Sequence, residues 1–171
     1  ETMIPILRDG FGNPSSTHSF GRKAKALIET SRRSIAKHIN CKPSEIIFTS
    51  GGTEADNMAI NSAVHKMNVT HIITSKIEHH AVGHTAMNLK NVEGIKISYV
   101  KIDEKGNVDL KDLERLLQKK DKTLVSLMHA NNEIATLLPI KKVSQLCRKY
   151  NALFHSDTVQ TMAHYSFNLE E

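Results

Sequence analysis

Cysteine is scarce in this 171-residue sequence: Cys41 and Cys147 are the only two, so neither a disulfide framework nor a paired CxxC zinc pattern is available. A reducing, intracellular and cytoplasmic setting is expected. No apolar run approaches the roughly 20 residues that cross a bilayer, and the N-terminus lacks the charged, apolar and small-residue regions of a signal peptide, so no membrane partner is expected. Clustered charge is missing too. Twenty-three Lys and Arg against eighteen Asp and Glu give a mild +5, dispersed along the chain, which predicts no nucleic-acid surface. After residue 17 there is no repeat, low-complexity stretch or Pro/Ser-rich linker, so one continuous folding unit is expected. The first residue is Glu1 rather than Met, and residues 167–171 carry no stop or cap signal, so a piece of a longer protein is expected.

What is present is a regular alternation of two patterns. Gly12-Asn13-Pro14-Ser15-Ser16-Thr17 is turn and cap chemistry. Ala24, Leu27, Ile28, Ser31, Ile35 and Ile39 then recur at helical spacing and predict a helix over 18–39. Residues 45–49, Glu-Ile-Ile-Phe-Thr, predict a first strand, and residues 53–67 a second helix. Further strands are predicted over 71–74, 95–100, 123–128 and 152–156, with helices over 81–89, 109–118 and 140–150 between them. The apolar run 123–128 is that of a strand covered on both faces. The alternation predicts an α/β fold: a mostly parallel sheet, right-handed crossovers, helices on both faces.

In such a sheet ligands bind beyond the carboxyl ends of the strands. The residues there are polar: Ser50-Gly51-Gly52-Thr53, Glu78-His79-His80, His129-Ala130-Asn131-Asn132-Glu133 and Asp157-Thr158-Val159-Gln160. Four predicted strand ends therefore converge on one crevice. Gly51 and Gly52 between a strand and a helix let backbone N–H groups approach an anion at a positive helix terminus. The plainer reading is a tight turn with Thr53 as helix N-cap. The segment matches neither GxGxxG nor GxxxxGK[ST], which removes support for a nicotinamide cofactor or an ordinary nucleotide.

Each remaining candidate also has a plain reading. Asp157 alone reads as a turn cap. His79, His80 and His84 have helical spacing, but without HExxH or a matching carboxylate no metal is expected. Nothing in the spacing shows that Glu78 and Glu133 meet. Cys147, between Leu146 and Arg148 on a predicted helix, reads as a packed thiol rather than a nucleophile. Lys76 reads as a solvated surface residue.

Taken in order, the motifs Gly12-Asn13-Pro14-Ser15-Ser16, Thr49-Ser50-Gly51-Gly52-Thr53-Glu54-Ala55-Asp56-Asn57, Glu78-His79-His80-Ala81-Val82, Met128-His129-Ala130-Asn131-Asn132-Glu133 and His155-Ser156-Asp157-Thr158-Val159-Gln160 span essentially the whole chain. The sequence thereby resembles the class V, fold-type I pyridoxal-phosphate enzymes, and among them the cysteine desulfurases of the NifS/IscS type. The resemblance implies that Gly52 and Thr53 hold the phosphate of pyridoxal 5'-phosphate. It also implies that His79 stacks on the ring and acts in proton transfer, that Asn132 and Gln160 hydrogen-bond near the ring hydroxyl, and that Asp157 pairs with the pyridinium nitrogen. A carboxylate facing that nitrogen keeps it protonated, so the ring can accept electrons from the substrate.

Relatives place Ala where this chain has Thr158 and Gly where it has Ala135. The family's Schiff-base lysine motif, Ser-x-His-Lys, and its persulfide-forming cysteine lie beyond residue 171. The resemblance therefore implies that residues 1–171 are a single, incomplete cofactor-binding large domain without the small C-terminal domain, inactive alone. It implies L-cysteine as substrate of the parent enzyme, a homodimer, and a sulfur-acceptor protein as possible partner for iron–sulfur assembly or other sulfur transfer. Selenocysteine lyase and class V aminotransferase share these motifs, and a non-catalytic, truncated phosphate-binding module is the rival of another class.

Overall fold

The computed structural model describes residues 3–119 and 121–170, so Glu1 and Glu171, on which the expectation of a longer chain partly rests, lie outside it. It divides into two compact units, Glu1–Phe48 with Ser166–Glu171, and Thr49–Tyr165.

The first unit holds two helices, α1 (Met3–Asp9) and α2 (Ser19–His38), and a short 3-10 turn, Pro43–Glu45. Helix α1 is not anticipated by the sequence pattern; none of its residues is buried. The predicted helix over 18–39 is present as α2, and its start is set by His18, whose Nδ1 accepts the Gly21 N–H at 3.2 Å. The strand predicted over 45–49 does not form. Its β-branched and aromatic residues satisfy strand propensity, but a strand exists through ladder hydrogen bonds with a neighbour, and among the described residues no segment pairs with it. The Ile46 carbonyl instead accepts from the Arg32 guanidinium, which also lies 4.9 Å from the centre of the Phe48 ring.

In the second unit, helices α3 (Gly52–Met67), α4 (His80–Glu93), α5 (Leu110–Leu117) and α6 (Ile140–Lys149) surround strands β1 (His71–Thr74), β2 (Lys96–Tyr99), β3 (Thr123–Ser126) and β4 (Leu153–His155). Local chemistry sets the helix ends. Asp109 caps α5 by accepting the N–H groups of Lys111 and Asp112 at 2.9 and 3.2 Å. Left-handed Asn68 (φ 54°) and Gly94 (φ 70°) close α3 and α4.

All strand pairs are parallel, in the spatial order β2-β1-β3-β4. Because successive strand residues face opposite sides, Ile72 and Leu124 pack with Ile60, Val64, Val82 and Leu89 of α3 and α4. Ile73 and Val125 pack on the other face with Leu113, Leu116, Val143 and Cys147 of α5 and α6. Helices therefore cover both faces, as the alternation predicts. The strand order also reverses at β1. From β1 the chain steps outward to β2, then crosses back over β1 to β3 and continues to β4. A right-handed crossover that changes direction must change face, which puts α4 on one side and α5 and α6 on the other. Between β1 and β3 the connections diverge, and their carboxyl ends border an open crevice.

Candidate functional site

The crevice holds a cavity of about 230 Å³, at the small end for ligand sites. Gly52, Thr53, His79, Asn132, Asp157 and Gln160, the six site residues expected from the sequence, all line it. Asp56, Met128 and Val159 complete the lining; they lie within the ordered motifs, with no individual role expected of them. Three strand ends (β1, β3 and β4) and the start of α3 supply these residues, rather than four strand ends, since residues 45–49 form no strand.

On one side stands the N-terminus of the 16-residue helix α3. Its N-cap is Gly51, not Thr53, and no side chain caps it. Instead the Glu54 carboxylate reaches back to the Ser50 N–H at 2.6 Å and hydroxyl at 2.7 Å, and these bonds hold its pKa below the ordinary value. The first N–H groups of a helix have no intrahelical acceptor and carry positive partial charge. At Gly52 the approach is close: a Cβ there would meet Val159 Cγ2 at 2.7 Å and would displace that side chain. A side chain at 52 would fill the space where helix N–H groups and the cavity meet.

On the other sides stand Asp157, Asn132 and His79. Asp157 does take the turn-cap part, its Oδ1 accepting the Val159 N–H at 2.9 Å, and it lines the cavity as well. His79 caps α4, Nδ1 accepting the Ala81 N–H at 3.2 Å. A neutral imidazole has one donor and one acceptor nitrogen, so with Nδ1 committed as acceptor, Nε2 is the nitrogen that carries the proton. Asp56, 4% exposed in the cavity wall, lies with Oδ1 3.5 Å from His155 Nε2, and His155 Nδ1 is 2.9 Å from the Ser126 hydroxyl.

The loops that carry the lining are tied to one another. Glu78 accepts from the Ser75 hydroxyl at 2.7 Å and from the Met128 N–H at 2.8 Å. Burial pushes its pKa up to about 7, with the Asp157 and Asp56 carboxylates as smaller causes in the same direction. The Asn131 amide donates to the Ile77 carbonyl at 2.7 Å, and its Oδ1 accepts the N–H groups of Glu133 and Ile134. The His129 N–H donates to the Asp157 carbonyl at 2.9 Å, while its Nδ1 lies 2.9 Å from the Thr161 hydroxyl and burial lowers its pKa. Glu78 and Glu133 border one recess but are not bonded to each other.

His80 and His84 lie ring to ring, 4.9 Å apart, and no group of three His, Cys, Asp or Glu able to hold a metal occurs among the described residues. Cys147 is 1% exposed in the core and burial pushes its thiol up to about 12, so it carries no thiolate at neutral pH. Lys76 is exposed. Ala135 has φ 58°, the left-handed region that glycine adopts without penalty. Thr158 does not line the cavity; its carbonyl accepts the N–H groups of Thr161 and Met162. Among the described residues no helix is long and apolar enough to cross a membrane.

The class-V aminotransferase profile matches residues 1–171. Over 173 residues the chain is 48% identical to cysteine desulfurase IscS of Dictyoglomus turgidum, covering 100% of this chain and 43% of that protein. It is 46% identical over 162 residues to putative cysteine desulfurase IscS 1 of Bacillus subtilis, covering 94% of this chain and 42% of that one. Among solved structures, a NifS-like protein superimposes with TM-score 0.90 at 40% identity, covering 99% of this chain and 47% of its own. SspA in complex with cysteine does so with TM-score 0.90 at 31% identity, covering 99% and 49%. The chain thus spans less than half the length of these relatives. With the whole sequence matched and the α/β architecture shared with NifS-like structures, the chain belongs to the class-V aminotransferase family.

Proposed function

We propose that this chain is the cofactor-binding part of a pyridoxal-phosphate-dependent cysteine desulfurase, which converts L-cysteine and an enzyme thiol to L-alanine and an enzyme persulfide. The supporting observation is the convergence of Gly52, Thr53, His79, Asn132, Asp157 and Gln160 on one cavity at the strand-order reversal, in a chain whose relatives carry the name cysteine desulfurase. The donor set fits a phosphate-bearing aromatic cation. A helix N-terminus with room for an anion lies on one side, and a carboxylate, an amide and an imidazole line the others.

When bound, pyridoxal phosphate supplies an electron sink for bonds broken at the amino-acid α-carbon. Gly52 and Thr53 would bind its phosphate through their N–H groups. Asp157 would hold a proton on its ring nitrogen, and the Asp157 backbone, anchored by the His129 N–H, fixes that carboxylate in place. Asn132 and Gln160 would hydrogen-bond the group and orient it. His79, whose Nδ1 is held by the α4 cap, would exchange protons at Nε2. The Schiff-base lysine and the persulfide cysteine belong to the parent protein outside residues 1–171. The proposal extends to residues 1–171 as the larger domain of that parent, and to a cytoplasmic homodimer passing sulfur to an acceptor protein.

Incubation of the full-length protein with pyridoxal phosphate, borohydride reduction and intact-mass measurement is expected to show one pyridoxyl adduct per chain. Sulfide or persulfide release from L-cysteine is expected to follow, and Asp157→Asn to reduce it by about 100-fold or more. No adduct, or turnover of another amino acid only, overturns the reading. Turnover of selenocysteine alone selects the lyase, and dependence on a keto acid selects the aminotransferase.

A further inference from the structure

Glu78 does not line the main cavity, yet it sits where its charge is costly. A carboxyl pushed up to about 7 by burial, with the Asp157 and Asp56 carboxylates adding to the shift, is held against its own solvation. Its two oxygens are both used, one by the Ser75 hydroxyl and one by the Met128 N–H. Ser75 belongs to the exit of β1, and Met128 to the exit of β3, 50 positions further on than Glu78. The next residue after Glu78 is His79, and Met128 itself lines the cavity, as does Asn132 four residues on. A second bridge runs the opposite way, from the Asn131 amide to the carbonyl of Ile77.

The strands supply no such tie beyond their ends. The β1–β3 ladder stops at Ile73 and Val125, so hydrogen bonds between the two exit loops must come from side chains. A carboxyl group is well suited to join them, because its two oxygens accept from a hydroxyl and an amide at once.

We infer that Glu78 is a positioning residue, clamping the loop that carries His79 to the loop that carries Met128 and Asn132 and so setting the width of the site. Asn131 closes the same clamp from the other loop. The inference rests on the pyridoxal-phosphate reading for its consequence, but the clamp itself is a property of the chain.

The test uses the full-length protein with Glu78→Ala, Glu78→Gln and Ser75→Ala. Two readouts are taken: the Kd for pyridoxal phosphate by absorbance titration, and hydrogen exchange of the Met128 amide without cofactor. Glu78→Ala removes both acceptor oxygens and is expected to weaken cofactor binding and to speed Met128 exchange, each by about tenfold or more. Glu78→Gln, which keeps an oxygen for Met128 and an amide for Ser75, is expected to stay within about threefold of wild type on both. Ser75→Ala removes one arm with little volume and is expected to fall between them, so the test survives if Glu78→Ala does not fold. Wild-type Met128 exchange in Glu78→Ala or, failing that, in Ser75→Ala overturns the clamp. So does unchanged cofactor affinity with faster exchange, or a Gln variant that behaves like Ala. A wild-type protein that does not bind pyridoxal phosphate refutes the functional reading, while the exchange readout still decides the clamp.

Discussion

Leu113, Ile72 and Val125 of the second unit are 0% exposed, whereas Leu27, Ile28 and Ile35 of α2 in the first are 45, 37 and 38% exposed. Both sets fit the apolar pattern of their elements, and only one is buried. In Thr49–Tyr165 each strand face meets a helix pair, so apolar side chains find partners on both sides. In the first unit α2 buries only Gly21 and Ala36, and α1 buries nothing. Periodicity shows which face of a helix seeks cover, and packing alone supplies the cover.

The largest expected effect breaks or sustains this contrast. Leu113→Ala should cost about 3 kcal/mol, the transfer and cavity cost of a buried leucine, while Leu27→Ala should cost less than about 1 kcal/mol. Urea denaturation of the two variants measures both. Equal losses would mean that the α2 face is packed after all.

A second effect contrasts two carboxyls within the second unit. Glu78 has a folded pKa raised from 4.5 to about 7, so the native state binds the extra proton between those values. Stability contributed by protonated Glu78 is complete below 4.5 and lost as pH rises through about 7, with a slope of at most about 1.4 kcal/mol per pH unit. Glu54 runs the other way: its pKa is lowered, so its contribution is lost as pH falls. Thermal unfolding from about pH 5 to 8 should show the Glu78 slope, and Glu78→Gln should remove it. A slope that persists in the Gln variant assigns it elsewhere.

The smallest effect concerns backbone strain. Ala135→Gly relieves a left-handed alanine at the expense of added unfolded-state freedom, and should stabilise by about 0.5 kcal/mol. A loss of stability would show that Ala135 is held by contacts its φ does not reveal.

Local sequence carried far into this structure, but unevenly. The strands 71–74 and 123–126 were legible from their apolar centres, Ile72-Ile73 and Leu124-Val125, and the helices beside them from 3.6-residue periodicity. Residues 45–49 misled for a related reason: Ile46, Ile47 and Phe48 have strand propensity, yet a strand needs a partner, and Ile47 stays 65% exposed. Thr53 misled as a cap because the N-cap lies two residues earlier, at Gly51, and Thr53 is already inside the helix. That the six expected residues would share one edge was legible from the ordered motifs, since successive β/α units deliver their next residues to the same edge. The contacts that Asp56, Met128, Glu78 and Asn131 make were not, since they depend on neighbours distant in sequence. Glu78 meets Met128 across 50 positions, and Ile77 meets Asn131 across 54.

By itself, then, the sequence determined the α/β class, the succession of elements from α3 onward and the ordered motifs, because propensity and periodicity act within a few residues. The tertiary structure alone decided that the strand order reverses at β1, that residues 45–49 stay outside the sheet, and that a half-buried glutamate bonds two loops across the crevice. Those outcomes depend on which distant segments share space, and hydrogen bonding and burial become definite only once that space is shared.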